Sequence, residues 1–129
     1  IEITRYLNKY QNNIQNILML KVGVPHLIII MDIDIDGSIN EYGKYINENI
    51  MDSDVNINFI NQSNDHIRTY ERGVNAETYA CGTGCCAGMV SLNRNKVSFT
   101  VKSGELVTAS VEDGEIYLEG PVKKVYRVI

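Results

Sequence analysis

Short runs of apolar and β-branched residues, broken about every 8 to 12 residues by glycine, aspartate or asparagine, dominate the chain and predict a succession of strands. The runs fall at 15–22, 27–33, 55–61, 66–71, 97–102, 105–111, 115–120 and 122–128. Lys102-Ser-Gly-Glu105 and Glu112-Asp-Gly-Glu115 have the composition of tight hairpin turns, the second with an Asp-Gly pair that tolerates positive φ. The C-terminal third therefore reads as a meander, and antiparallel pairing is expected to prevail.

Two segments depart from this pattern toward a helical period. In 38–50, Ser38-x-x-Glu41 forms a capping box, and Ile39, Tyr42, Ile46 and Ile50 share one face, which predicts an amphipathic surface helix. In 83–92 the apolar residues Cys85, Cys86, Ala87, Met89, Val90 and Leu92 leave no polar face, so this helix is expected to be enclosed. Gly84 and Gly88 would let strands approach it closely. With no repeat, linker or low-complexity tract, residues 1–129 read as a single α+β domain whose strands wrap one buried helix.

Composition fits that picture: 44% hydrophobic and 22% charged residues are enough to bury a core. A formal charge of −4, with the 12 lysines and arginines scattered, speaks against nucleic acid as a partner. The longest aliphatic run, 27–31, is far short of the roughly 20 residues a membrane helix needs, so no membrane partner is expected. No basic segment leads into an apolar one at the start, and the first residue is Ile1. A cytoplasmic location and a beginning inside a longer chain are the expectations. All three cysteines lie between Cys81 and Cys86, too close together to staple distant loops, which suits a reducing compartment. Their CxxxCC spacing lacks the paired pattern of structural zinc sites, so no metal is expected.

Chemistry concentrates at Ala80-Cys81-Gly82-Thr83-Gly84, a thiol in a glycine-rich turn that opens the enclosed helix. A helix start offers unpaired N–H groups and the positive end of the macrodipole, which can hold a carboxylate and favour a thiolate. Cys81 is the lead candidate, whereas Cys85 and Cys86 read as core packing. Glu71 and Arg72 end a strand shortly before; a guanidinium suits a two-pronged grip on a carboxylate, and a carboxylate can tune an acid–base partner. Adjacent strand residues face opposite ways, so both cannot serve one surface by regular pleating alone. His26 and His66 read first as packing and solvated residues, and Asn56 and Asn58 share one face of their strand.

Taken in order, Gly23-Val24-Pro25-His26, Val55-Asn56-x-Asn58-Phe59, Tyr70-Glu71-Arg72-Gly73, Glu77-Thr78 and Ala80-Cys81-Gly82-Thr83-Gly84 resemble the C-terminal half of diaminopimelate epimerase, from about Gln15 onward. The resemblance implies a mostly antiparallel, curled, barrel-like sheet around a central helix, equivalent to the C-terminal domain of a two-domain enzyme. It implies epimerisation of LL- and meso-diaminopimelate, in lysine and peptidoglycan precursor biosynthesis, by two cysteines and without cofactor or metal. Cys81 matches the second cysteine; His26 and Glu71 would assist proton handling. Gly82 and Thr83 would receive the α-carboxylate, and Asn56 and Arg72 would hold the distal amino-acid end. The expected partners are a small-molecule amino-acid substrate and an N-terminal half carrying the other cysteine, with a homodimer left open.

Val24 departs from the asparagine common at its position, which puts distal recognition in doubt. A related racemase or isomerase acting on another amino acid is therefore the near alternative, and a truncated module that only binds carboxylates is the more distant one. A cysteine hydrolase ranks last, because nothing in the sequence places a histidine beside Cys81. Alone, this half is expected to be inactive.

Overall fold

The computed structural model describes residues 2–79, 81–120 and 125–128. Strands β1 (Ile14–Val22) and β2 (Val24–Met31) form a hairpin through Gly23, whose φ of 74° suits a residue without Cβ. Helix α2 (Ile39–Asn49) then carries the chain over the sheet to β3 (Asn56–Asn61). That strand lies parallel to β2, His26 opposite Asn56 and Met31 opposite Asn61. Strand β4 (His66–Glu71) returns antiparallel, and the short β5 (Ala76–Thr78) folds back on its end. After α3 (Gly82–Ser91), β6 (Lys96–Thr100) meets β4 in parallel at His66 and Thr100. Strands β7 (Leu106–Glu112), β8 (Glu115–Glu119) and β9 (Val125–Val128) complete an antiparallel meander.

The sheet order is β1-β2-β3-β4-β6-β7-β8-β9, with β5 branching from β4. It is an α+β fold whose sheet is mostly antiparallel, curled around α3 and unclosed: α3 touches β1, β2, β3, β6, β7 and β8. Antiparallel pairing prevails as the strand pattern predicts, and two parallel pairs interrupt it. Each follows a helical crossover, which returns the chain to the same end of the sheet before the next strand begins.

Alternation along β2 and β3 divides the core in two. Leu27, Ile29, Met31, Ile57 and Phe59 pack with Ile39 and Ile46 of α2. Ile28, Ile30 and Ile60 pack on the opposite face with Cys85, Cys86, Ala87 and Met89 of α3. The two helices thus cover opposite faces of one sheet, as their amphipathic and all-apolar patterns require. Close contact with α3 depends on Gly88, where a Cβ would sit 2.7 Å from Ile60 Cδ1 and 3.0 Å from Phe99 Cζ. Fully burying Met89 contributes about 2 kcal/mol to holding the helix there.

Local signals succeed to different degrees. Ser38 caps α2, but its hydroxyl takes the Asn40 amide at 3.3 Å rather than that of Glu41, so only part of the capping box forms. The Asp113-Gly114 turn has φ of 50° and 78°, the left-handed pair expected of a two-residue hairpin. Helix α1 (Glu2–Tyr6) and a 3-10 turn at Asn8–Tyr10 have no counterpart in the sequence reading, because five and three residues are too short to display a period. They are held by Ile3, Leu7 and Tyr10 in the α2-side core and by Tyr6, stacked 3.9 Å from Tyr45. Of the strand expected at 122–128, residues 122–124 lie outside the described residues and the remainder is β9.

Candidate active site

Pleating explains how the polar candidates come together. His26 precedes Ile28, Asn56 and Asn58 precede Ile60, and Thr69 and Glu71 follow Ile67, so all five fall on the α3-facing side at one end of β2, β3 and β4. The entry of α3 closes that end. Cys81 is its N-cap, with φ −135° and ψ 105°, and Gly82, Thr83 and Gly84 supply the first amides, for which the helix has no carbonyl partners. The Cys81 side chain makes no capping hydrogen bond of its own.

Cys81 is only 6% exposed but its sulfur is not surrounded by hydrocarbon. The Thr83 hydroxyl lies 3.7 Å away, and the same oxygen is 3.1 Å from His26 Nε2. The Glu71 carboxylate also faces the sulfur. Burial pushes the Cys81 thiol up, the Gly84 amide and Thr83 hydroxyl pull the other way, and Glu71 adds to the rise. The helix start was expected to favour a thiolate; here desolvation and the carboxylate outweigh the amides, and the resting group is a thiol. Cys85 and Cys86 are wholly buried in the α3 core, as the packing reading requires, and burial raises Cys86 to about 11.

His26 is fully buried, and burial lowers its pKa, so the imidazole is neutral. Its Nδ1 is 3.0 Å from Asn58 Nδ2. The structure thus brings a histidine near Cys81 through Thr83, which strand spacing did not reveal. Asn56, 3% exposed, accepts the Arg72 backbone N–H through Oδ1 at 2.8 Å. Glu71 and Arg72 part as pleating predicted: one faces the thiol, and the other is exposed beyond the strand end. His66 lies at the far end of β4, 3.5 Å from Asp34. Glu77, from the fourth motif, serves structure: Arg68 grips it with two bonds of 2.7 Å, and Lys102 lies 3.1 Å away.

Two further residues join the cluster, Asn58, which the sequence leaves open between pocket and solvent, and Thr69. The alternation of Asn56 and Asn58 did mark Asn58, whereas nothing local marks Thr69, whose hydroxyl donates to Asn58 Oδ1 at 2.8 Å. A cavity of about 490 Å³ opens at the opposite end of the strands, beside Met31, Asn61 and His66. It holds none of the groups around Cys81. The thiol cluster is the better site because it joins an acid–base group to unpaired helix amides, whereas the cavity's Asp34 is already engaged by Asn61, Asn64 and His66. Among the described residues no cluster of metal-ligating groups occurs, and no helix is long and apolar enough to cross a membrane.

Residues 18–125 match the family model described as diaminopimelate epimerase. The diaminopimelate epimerase of Hydrogenobaculum sp. (strain Y04AAS1) is 37% identical over 120 residues, covering 83% of this chain and 43% of that protein. The one from Alkaliphilus metalliredigens is 38% identical, covering 81% and 40%. A crystal structure of a phenazine biosynthesis protein PhzF family member from Enterococcus faecalis superimposes with a TM-score of 0.54 at 18% identity, over 82% of this chain and 42% of that one, and shows a shared fold. The chain spans about two fifths of the length of the curated relatives it matches, 43% and 40% for these two. With the family model matched over residues 18–125 and relatives 37% and 38% identical over more than four fifths of the chain, the chain belongs to the diaminopimelate epimerase family.

Proposed function

We propose that this chain is the C-terminal half of a cofactor-independent epimerase that interconverts LL- and meso-diaminopimelate, with Cys81 as one of two thiol acid–base groups. The observation that carries this reading is the Cys81 sulfur at the mouth of α3, between the Glu71 carboxylate and the Thr83 hydroxyl, beside unpaired helix amides. The α-carboxylate sits on the Gly82 and Thr83 amides, which stabilise the negative charge that builds there as the α-proton leaves. A thiolate in the N-terminal half takes that proton from one face, and the Cys81 thiol gives its own proton to the carbanion from the other. The reverse direction exchanges the roles, and Glu71 helps reload Cys81. His26 stays neutral and holds the Thr83 hydroxyl; Asn56 and Arg72 face the distal end of the substrate.

Exposed apolar residues adjoin the site in the chain: Val24 is 37% exposed, Val74 58% and Tyr79 72%. They support a surface made to meet the other half. Val24 also favours a second reading, an epimerase or racemase of the same fold with another amino-acid substrate, since its side chain offers no hydrogen bond to a distal amino-acid group. Incubation in D2O with diaminopimelate and then with other amino acids separates the two. With both halves present, α-deuterium should enter diaminopimelate, and this chain alone should give none. Exchange confined to another amino acid would replace the substrate, and absence of exchange with any of them would leave a carboxylate-binding module.

A further inference from the structure

The polar cluster behind the thiol contains a buried amide to which the reaction assigns no role. Asn58 is 0% exposed, and its orientation is fixed independently of the histidine. Nδ2 lies 3.3 Å from the Leu27 carbonyl, which can only accept, and Oδ1 receives the Thr69 hydroxyl at 2.8 Å. Turning the amide over would set two oxygens against each other. Its other N–H meets His26 Nδ1 at 3.0 Å, so that nitrogen must present a lone pair and the ring proton must reside on Nε2. The Nε2–H then donates to Thr83 Oγ1 at 3.1 Å, and the hydroxyl hydrogen is free to turn to the Cys81 sulfur at 3.7 Å.

We propose that Asn58 is a positioning residue for Cys81: by holding His26 in the Nε2–H tautomer it aligns every donor from Asn58 through His26 and Thr83 toward the sulfur. In the opposite tautomer Nε2 would take the Thr83 hydrogen, leaving a hydroxyl lone pair to repel any thiolate formed there. Gly84 completes the device, since a Cβ at that position would lie 2.4 Å from Asn58 Oδ1 and displace the amide. The other groups around the sulfur and the ring are Glu71 from β4, Cys85 and Cys86 from α3, and the Val22 carbonyl, which favours a proton on the ring. The substitutions below leave all of these in place.

The catalytic significance of this alignment rests on the epimerase reading, but the alignment itself is tested without turnover. In the full chain, 15N spectra of the His26 ring and the pH dependence of Cys81 alkylation by iodoacetamide are measured for wild type, Asn58→Asp, Thr83→Val and Thr83→Ser. Wild type should show neutral imidazole protonated at Nε2. Asn58→Asp, whose ionised carboxylate can only accept, should place a proton on Nδ1 at a pH where that carboxylate is charged. Thr83→Val should raise the alkylation midpoint by about one pH unit, roughly a tenfold loss of rate below it, with the tautomer unchanged. Thr83→Ser should restore the wild-type midpoint. Wild-type His26 protonated at Nδ1, or a Thr83→Val midpoint equal to wild type, would overturn the proposal. Should Asn58→Asp fail to fold, the wild-type spectrum and the Thr83 pair still decide it. Loss of the alignment with deuterium exchange intact would reject only this inference, and the converse result would reject only the reaction.

Discussion

Replacing Gly84 by alanine separates two roles of the glycine-rich turn. Helix propensity alone predicts a gain of up to about 1 kcal/mol, since alanine loses less backbone entropy than glycine. The packing predicts the opposite. The new Cβ would stand 2.4 Å from Asn58 Oδ1, about 1 Å inside ordinary contact, and Asn58 has no free space because its amide is tied to Thr69, Leu27 and His26. Relief requires moving the amide, which breaks the 2.8 Å bond from Thr69 and strains the 3.0 Å bond to His26. Each buried polar group left unpaired costs about 1–3 kcal/mol, so Gly84→Ala should destabilise by about 2–4 kcal/mol after the propensity gain is subtracted. Urea unfolding followed by circular dichroism measures this, and a cycle with Asn58→Ala identifies the cause. On the Asn58→Ala background, Gly84→Ala should be neutral or stabilising, a coupling of about 2 kcal/mol or more. Stabilisation in the wild-type background, or an equal cost in both backgrounds, would refute the close-packing explanation.

Three further outcomes follow from other parts of the molecule. Cys86, raised to about 11, keeps its proton in the folded state when the unfolded thiol has already lost it, so stability should fall as pH rises from about 9 to 11, by about 2–3 kcal/mol from this group. Cys86→Ala should flatten that part of a stability-versus-pH curve. Glu77 has a side chain only 3% exposed; burial raises its pKa, but the bonds from Arg68 and Lys102 prevail and hold it below the usual carboxylate value. Its stabilising contribution is therefore present above the ordinary glutamate value and lost as pH falls from there through the lower folded pKa, which acid unfolding of wild type against Glu77→Gln will show. Arg68→Ala should cost about 3 kcal/mol in urea unfolding by leaving that carboxylate buried, whereas Lys102→Ala, at a side chain 44% exposed, should cost less than about 1 kcal/mol.

Much of the fold was legible because its periods are long. The all-apolar 83–92 segment predicted an enclosed helix, and α3 lies inside the curl; Ile39, Tyr42 and Ile46 predicted the face that α2 packs on the sheet. Parallel pairing of β2 with β3 was not legible from strand composition, since it is set by where α2 delivers the chain. At the site, the cysteine turn and the Asn56–Asn58 alternation were visible, and so was the parting of Glu71 from Arg72. The thiol's protonation was not: it depends on the depth of burial and on a carboxylate ten residues earlier, quantities that only the packed structure supplies. Likewise the approach of His26 to Thr83 spans 57 residues and follows from strand register rather than from any local motif.

Proton exchange between the Cys81 sulfur and the substrate α-carbon is the step that separates the proposed epimerase from a carboxylate-binding module. It is tested most directly by α-deuterium uptake from D2O into diaminopimelate, comparing the protein with both halves present against its Cys81→Ala variant. Removing an essential proton-transfer group should lower the rate of epimerisation with deuterium incorporation by about 10²-fold or more, with substrate still protecting the site from proteolysis. Epimerisation at the wild-type rate in Cys81→Ala would contradict a role for this sulfur in proton transfer.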